Sequence, residues 1–170
     1  MQVQKSGVYP AHFNKYIELV QNEELHSVLS KQSDEAEKLL NSIPENKWLY
    51  KYGEDKWTTK ELLLHITDTE RVFSNRAFVF SRKDPNTIQS FNENEYAKNS
   101  NANNRNPKDL IEEFLAVRKS TVLLFNGFSN EQLNEVGKGS SYEMDVKSVG
   151  YTIAGHLAHH INILKEKYLG

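Results

Sequence analysis

No cysteine occurs in the 170 residues of this chain. That absence excludes disulfide frameworks, thiolate nucleophiles and cysteine-based zinc sites. Also missing is any run approaching the roughly 20 apolar residues needed to cross a bilayer, so no membrane partner is expected. The opening stretch from Met1 to Gly7 lacks the apolar segment of a secretory signal, and a cytoplasmic, reducing compartment is the expectation. Nor does charge of one sign dominate. Twenty-one Lys and Arg stand against 23 Asp and Glu, a formal charge of −2. Such a balance offers no broad attraction to a phosphate backbone, and no nucleic-acid partner is expected.

What is present suits a globular chain: 38% hydrophobic and 26% charged residues, in a length that fits one domain over residues 1–170. Apolar residues recur at helical spacing in four segments. The first is predicted over about 23–41 and is closed by Pro44, after a leading stretch from Tyr9 to Val20 that is either a short helix or an extended arm. The second has the best-marked start. Thr58 and Glu61 form a capping box, with Trp57 and Leu62 at the staple positions, and the helix runs to about Ser81. Residues 86–106 are rich in Asn and Ser, which compete with helical hydrogen bonding, so a long surface loop is expected, with at most a turn of helix near 93–96. Asn106 and Pro107 open a third helix that Gly127 ends, and Ser129 to Leu133 add one further turn. Residues 137–141 read as a flexible connection, and a last helix spans about 148–168. The sum is an all-α, antiparallel four-helix bundle with a long loop between its second and third helices.

Of six histidines, three are informative. His156 and His160 lie four apart, on one helical face, where two imidazoles can reach one ion. They fall in or beside the apolar sector of Ile153, Leu157, Ile161, Leu164 and Tyr168, whereas His159 turns about 100° away. On the second helix, His65 shares a stripe with Leu62, Thr69, Val72, Arg76, Val79 and Phe80 and points inward. Asp68, three residues on, is placed to accept a ring N–H of His65 as an outer partner. Three neutral imidazoles on a divalent transition-metal ion leave positions open for water or a small-molecule substrate, where water acidifies and carbonyl or phosphoryl groups are polarised.

Several of these residues carry a second reading. A His-x-x-x-His pair is also common in helices without a metal, His65 suits a hydrogen-bonded core position, and Asp68 suits a helix-surface acceptor. Arg76 either caps the pocket and attracts an anionic substrate or pairs with an interior carboxylate such as Glu113. His12, His26 and His159 read as surface or packing residues, and Trp48, Trp57, Phe73, Phe78 and Phe80 as core.

Trp57-Thr58-Thr59-Lys60-Glu61, continuing through His65, Asp68, Glu70 and Arg71, resembles the W-[ST]-x-x-E-x-x-x-H-x-x-D-x-E-R stretch of the DinB/YfiT-like superfamily. Gly155-His156-Leu157-Ala158-His159-His160 resembles its G-H-x-x-H-H stretch, and the likeness extends to residues 91–96. The resemblance implies a four-helix bundle with a three-histidine site at His65, His156 and His160, holding nickel or zinc. It implies a metal-dependent hydrolase or an S-transferase that uses a low-molecular-weight thiol such as bacillithiol, and it implies a homodimer. With no Cys in the chain, any thiol must come from outside. The alternative is a non-catalytic metal- or ligand-binding bundle, with a sensor or storage role.

Overall fold

The computed structural model describes residues 7–170; Met1 to Ser6, on which part of the amino-terminal reading rests, lie outside the described residues. Four long helices carry the architecture: α2 (Leu25–Asn41), α3 (Thr59–Ser81), α5 (Pro107–Asn126) and α7 (Val146–Ile163). Shorter elements join them: α1 (Asn14–Ile17), α4 (Glu93–Asn99), α6 (Asn130–Leu133) and a two-stranded hairpin of β1 (Val136–Lys138) and β2 (Glu143–Asp145). No helix is long and apolar enough to cross a membrane among the described residues.

Local chemistry sets the helix starts. The Thr58 hydroxyl accepts from Glu61 N at 3.1 Å while Glu61 accepts from Thr58 N at 2.8 Å, the reciprocal box that the sequence predicts. Glu24, Asn106 and Asp145 accept from first-turn N–H groups of α2, α5 and α7. Two elements and one side chain differ from the sequence reading. Residues 93–99 form a full helix, because the Asn92 side chain caps Asn94 N and Glu95 N, and Ala97 and Ala102 are buried against α3 and its neighbours. The connection expected to be flexible is the hairpin, pinned where Gly137 meets the ring of Phe80; a Cβ there would overlap that ring. Phe78 is 46% exposed rather than core, with the Arg82 guanidinium 5.2 Å from its ring centre.

The packing order is not the chain order. α3 packs on α5 and α7, and α2 packs on the same two, so α2 and α3 face each other across a diagonal. Directions follow from the contacts. His65 near the start of α3 meets His160 near the end of α7, so those helices are antiparallel. Glu70 meets Arg118 and Ser74 meets Thr121, so α3 and α5 run the same way. His26 meets Asn126 and Gln32 meets Arg118, so α2 opposes α5. The long segment over residues 82–106 is therefore the crossover that returns the chain to the start of α3, where Asn103 accepts from Thr58 and donates to Glu61.

Apolar burial divides into two clusters along the bundle. One gathers Phe73, Phe80, Phe125, Met144 and Val149 toward the hairpin, the other Leu63, Ile66, Leu110, Phe114 and Leu164 toward the opposite end. Helix α1, whose Ile17 joins the first cluster, lies on α7 at unusually short range, since a Cβ at Gly155 would overlap the Tyr16 carbonyl. Replacing Gly155 by Ala must push α1 off α7, and an overpacking penalty of about 1–3 kcal/mol is expected. A thermal melt of Gly155→Ala matching that of the parent protein would contradict this contact.

Candidate metal centre

Helix α3 presents His65 about two turns after its Thr58 cap, and α7 presents His156 and His160 about one turn apart. All three rings are buried, at 5%, 6% and 8% exposure. Their Nε2 atoms form a near-equilateral triangle: 3.1 Å from His65 to His156, 3.2 Å from His65 to His160 and 3.1 Å from His156 to His160. The distances are short enough for hydrogen bonds, yet three neutral imidazoles cannot satisfy one another this way. Each ring carries one N–H, so in every tautomer at least two lone pairs or two protons are left facing each other.

A single cation removes that conflict. Nitrogens at these spacings lie about 1.8 Å from the centre of their triangle, and an ion slightly off the plane reaches all three at the roughly 2.0–2.1 Å of a metal–imidazole bond. The donor set fits one divalent transition-metal ion. No Asp or Glu oxygen joins this donor group among the described residues.

The surroundings hold the rings in place. Trp57 lies 4.5 Å from His65, ring centre to ring centre, and its carbonyl accepts from the Tyr168 hydroxyl at 2.9 Å. Tyr16 packs edge-on against both His156 and His159, at 5.3 and 5.4 Å. The sequence reading missed Tyr16, whose position depends on the close passage at Gly155, and took Trp57 only as core. His160 Nδ1 is buried without a hydrogen-bond partner among the described residues. Asp68 is directed elsewhere. Its Oδ1 accepts from Arg71 at 3.1 Å, and no hydrogen bond joins it to His65. The cause is competition: Arg71, itself bound to Glu113, offers Asp68 a charged donor one turn along the same face.

Burial keeps these rings neutral. It lowers His65 to about 4 and His160 to about 3, and takes His156 well below its ordinary value with help from the neighbouring His160 and His65. Neutral imidazole is the form that ligates. In the metal-free protein the same shifts carry a cost in acid. Unfolded histidines take up protons near pH 6.5 while the folded rings stay neutral down to about 4, so stability is full above about 6.5 and falls through that window. Urea midpoints of metal-free protein should drop between pH 7 and 5, and drop less in His160→Ala; equal slopes for the two proteins would contradict the assignment.

A cavity of about 370 Å³ opens beside the cluster, lined among others by His156, Thr69, Phe73, Thr152, Tyr142 and Arg76. That volume lies within the range of small-molecule sites.

The family model of the DinB superfamily matches residues 29–164, which include all three histidines. The chain belongs to the DinB superfamily. Solved structures agree on the fold. YfiT from Bacillus subtilis, described as a probable metal-dependent hydrolase with an unusual four-helix bundle topology, is similar with a TM-score of 0.72 at 14% identity, over 98% of this chain and 90% of that one. A DinB-like protein from Bacillus subtilis gives 0.60 at 17% identity, covering 84% and 87%. A mycothiol-dependent maleylpyruvate isomerase gives 0.68 at 11% identity, covering 85% of this chain and 61% of that one. No curated protein matches. At such identities the likenesses establish the DinB-like bundle, and the chemistry has to be argued from the residues.

Proposed function

We propose that this DinB-superfamily chain is a metal-dependent enzyme acting on small molecules, in which His65, His156 and His160 hold one divalent transition-metal ion, nickel or zinc. One observation carries the reading: three buried Nε2 atoms converge to within 3.2 Å, an arrangement that protons alone cannot satisfy, and one of the three residues, His156, lines a cavity of about 370 Å³.

A divalent ion held by His65, His156 and His160 would supply Lewis-acid chemistry to a water, a thiol or a substrate oxygen. The chain's own residues do the rest. Trp57 and Tyr16 brace the ligand rings. Thr69 and Thr152 bring hydroxyls to the cavity wall, where Thr152 donates to Ser148 O at 2.9 Å and Thr69 Oγ1 is buried without a partner among the described residues. Of the carboxylates nearest in sequence, Asp68 Oδ1 accepts from Arg71 and Glu70 Oε2 from Arg118, while Glu70 Oε1 is buried without a hydrogen-bond partner among the described residues. Two reactions share this machinery, hydrolysis by water and transfer to an external low-molecular-weight thiol.

Metal-replete protein should turn over either an ester and amide panel or a thiol-plus-electrophile panel. Activity should vanish on stripping with a chelator and return with nickel or zinc. Full metal occupancy with no turnover in any panel would leave a metal-binding bundle instead, and failure to retain metal at all would overturn the centre itself.

A further inference from the structure

We propose that Arg76 reads an anionic group on the small molecule that enters this cavity, so that the ligand carries a carboxylate or a similar oxyanion at the end remote from the three histidines. The inference rests on the metal-enzyme reading for the role of the cavity, but not for the chemistry of Arg76.

Arg76 is 3% exposed, and no carboxylate lies within 4.0 Å of it among the described residues. Among the described residues its Nε is buried without a hydrogen-bond partner, and its one hydrogen bond, Nη2 to Gln89 O, is marginal at 3.5 Å. Aromatic rings surround it instead: Phe73 at 4.6 Å, Tyr142 at 5.7 Å and Phe91 at 5.9 Å from the guanidinium carbon. Ring faces offset only part of the desolvation of a buried cation. Glu113, the interior carboxylate that the sequence offered as a partner, is taken by Arg71 at 2.6 Å and by Arg105 at 2.5 Å.

The same bundle contains a buried arginine with a purely structural setting, and the contrast is informative. Arg118 is fully buried, with Nε and Nη2 donating to Glu70 at 3.1 and 2.8 Å and Nη1 to Gln32 at 3.3 Å. Where this fold buries an arginine for stability, it supplies the carboxylate. At Arg76 it supplies an apolar cage and an opening. Guanidinium donors that open on a cavity and lack a carboxylate among the described residues suit an exogenous carboxylate.

Arg76 also sets a length. It stands eleven residues after His65 on α3, roughly 16 Å along the axis, and a helical side chain leans back toward the amino terminus. The imidazole of His65 leans the same way and Arg76 only reaches further back, so the guanidinium and the histidine cluster are separated by on the order of 10–15 Å, with Phe73, Thr69 and Thr152 lining the same cavity. The ligand is elongated, with a middle that meets the Phe73 ring and the two threonine side chains. Exposed Lys15 and Glu93 stand at the cavity's rim, one of each sign, so selection of an anion falls to Arg76.

Two titrations test this. Metal-free protein is titrated with octanoate and octan-1-ol by calorimetry, and cobalt-loaded protein with 8-mercaptooctanoate and 8-mercaptooctan-1-ol, followed by the thiolate-to-cobalt charge-transfer band. The carboxylate of each pair should bind about ten-fold or more tightly than its alcohol, and Arg76→Met should bring the two within about two-fold while cobalt content stays unchanged. Arg76→Lys should keep part of the preference. Because Arg76→Met removes an unpaired buried charge, its Tm should also rise, by about 2–4 °C. An equal affinity for acid and alcohol in the parent protein would overturn the proposal, as would a preference that survives Arg76→Met or a Tm that falls. Loss of cobalt binding with the octanoate preference intact would sink the metal reading and leave Arg76 as assigned.

Discussion

His160→Ala protein should retain less than about a tenth of the metal found in the parent protein after equal dialysis, because two imidazoles cannot replace three around one ion. His65→Ala should behave alike, although it lies 95 residues away in sequence, since its Nε2 completes the same triangle. His159 provides the control. Its ring packs on Tyr16 and only half faces the interior, so His159→Ala should keep full occupancy. Elemental analysis of untagged protein reads all three, with far-ultraviolet circular dichroism to verify that the helices remain. Full occupancy in His65→Ala or His160→Ala would remove the basis for the metal centre.

Arg118→Met should destabilise the bundle by about 3–5 kcal/mol, the usual result of stripping one partner from a buried ion pair. For a chain of this size that corresponds to a fall in Tm on the order of 10 °C. The reason is the position of the pair. Arg118 of α5 binds Glu70 of α3 and Gln32 of α2, and Gln32 Nε2 in turn donates to Ala154 O of α7 at 3.0 Å, so one network ties all four long helices together. Removing the guanidinium leaves the Glu70 carboxylate buried with no counter-charge. Replacing both members by apolar residues, as in Arg118→Met with Glu70→Leu, should recover most of the loss, because the desolvation of both charges disappears with them. Two buried arginines of one bundle are thus expected to respond to the same substitution with opposite signs, Arg118→Met lowering Tm and Arg76→Met raising it. Tm changes of the same sign would show that the distinction between a paired and an unpaired guanidinium is not the controlling one.

The long helices were legible because helix formation is local. The capping box at Thr58 and Glu61, the Asn106-Pro107 start and the Gly127 stop each involve groups three or four residues apart, and hydrogen-bond geometry over that range is written directly in the residue order. The inward direction of His156 and His160 followed from the same 3.6-residue periodicity. Legibility ended where a side chain had several possible partners. Asp68 is near His65 by helical spacing, but Arg71 lies on the same face and competes for it. The hairpin after Val136 and the helix from Glu93 depend on burial of Met144 and Ala97 against distant residues, and composition alone suggested loops.

By itself, the amino-acid order determined an all-α chain, the limits of its long helices to within a few residues, and three histidines on the inner faces of two of them. The tertiary structure alone decided that α2 and α3 sit diagonally and that α3 and α5 run in parallel. It also decided that Glu70 meets Arg118, that Tyr16 reaches the ligand rings across Gly155, and that Arg76 is left without a carboxylate. Periodicity and capping act within a turn or two of helix. Which faces meet across tens of residues depends instead on how every helix shares one limited interior, and that is a property of the packed whole.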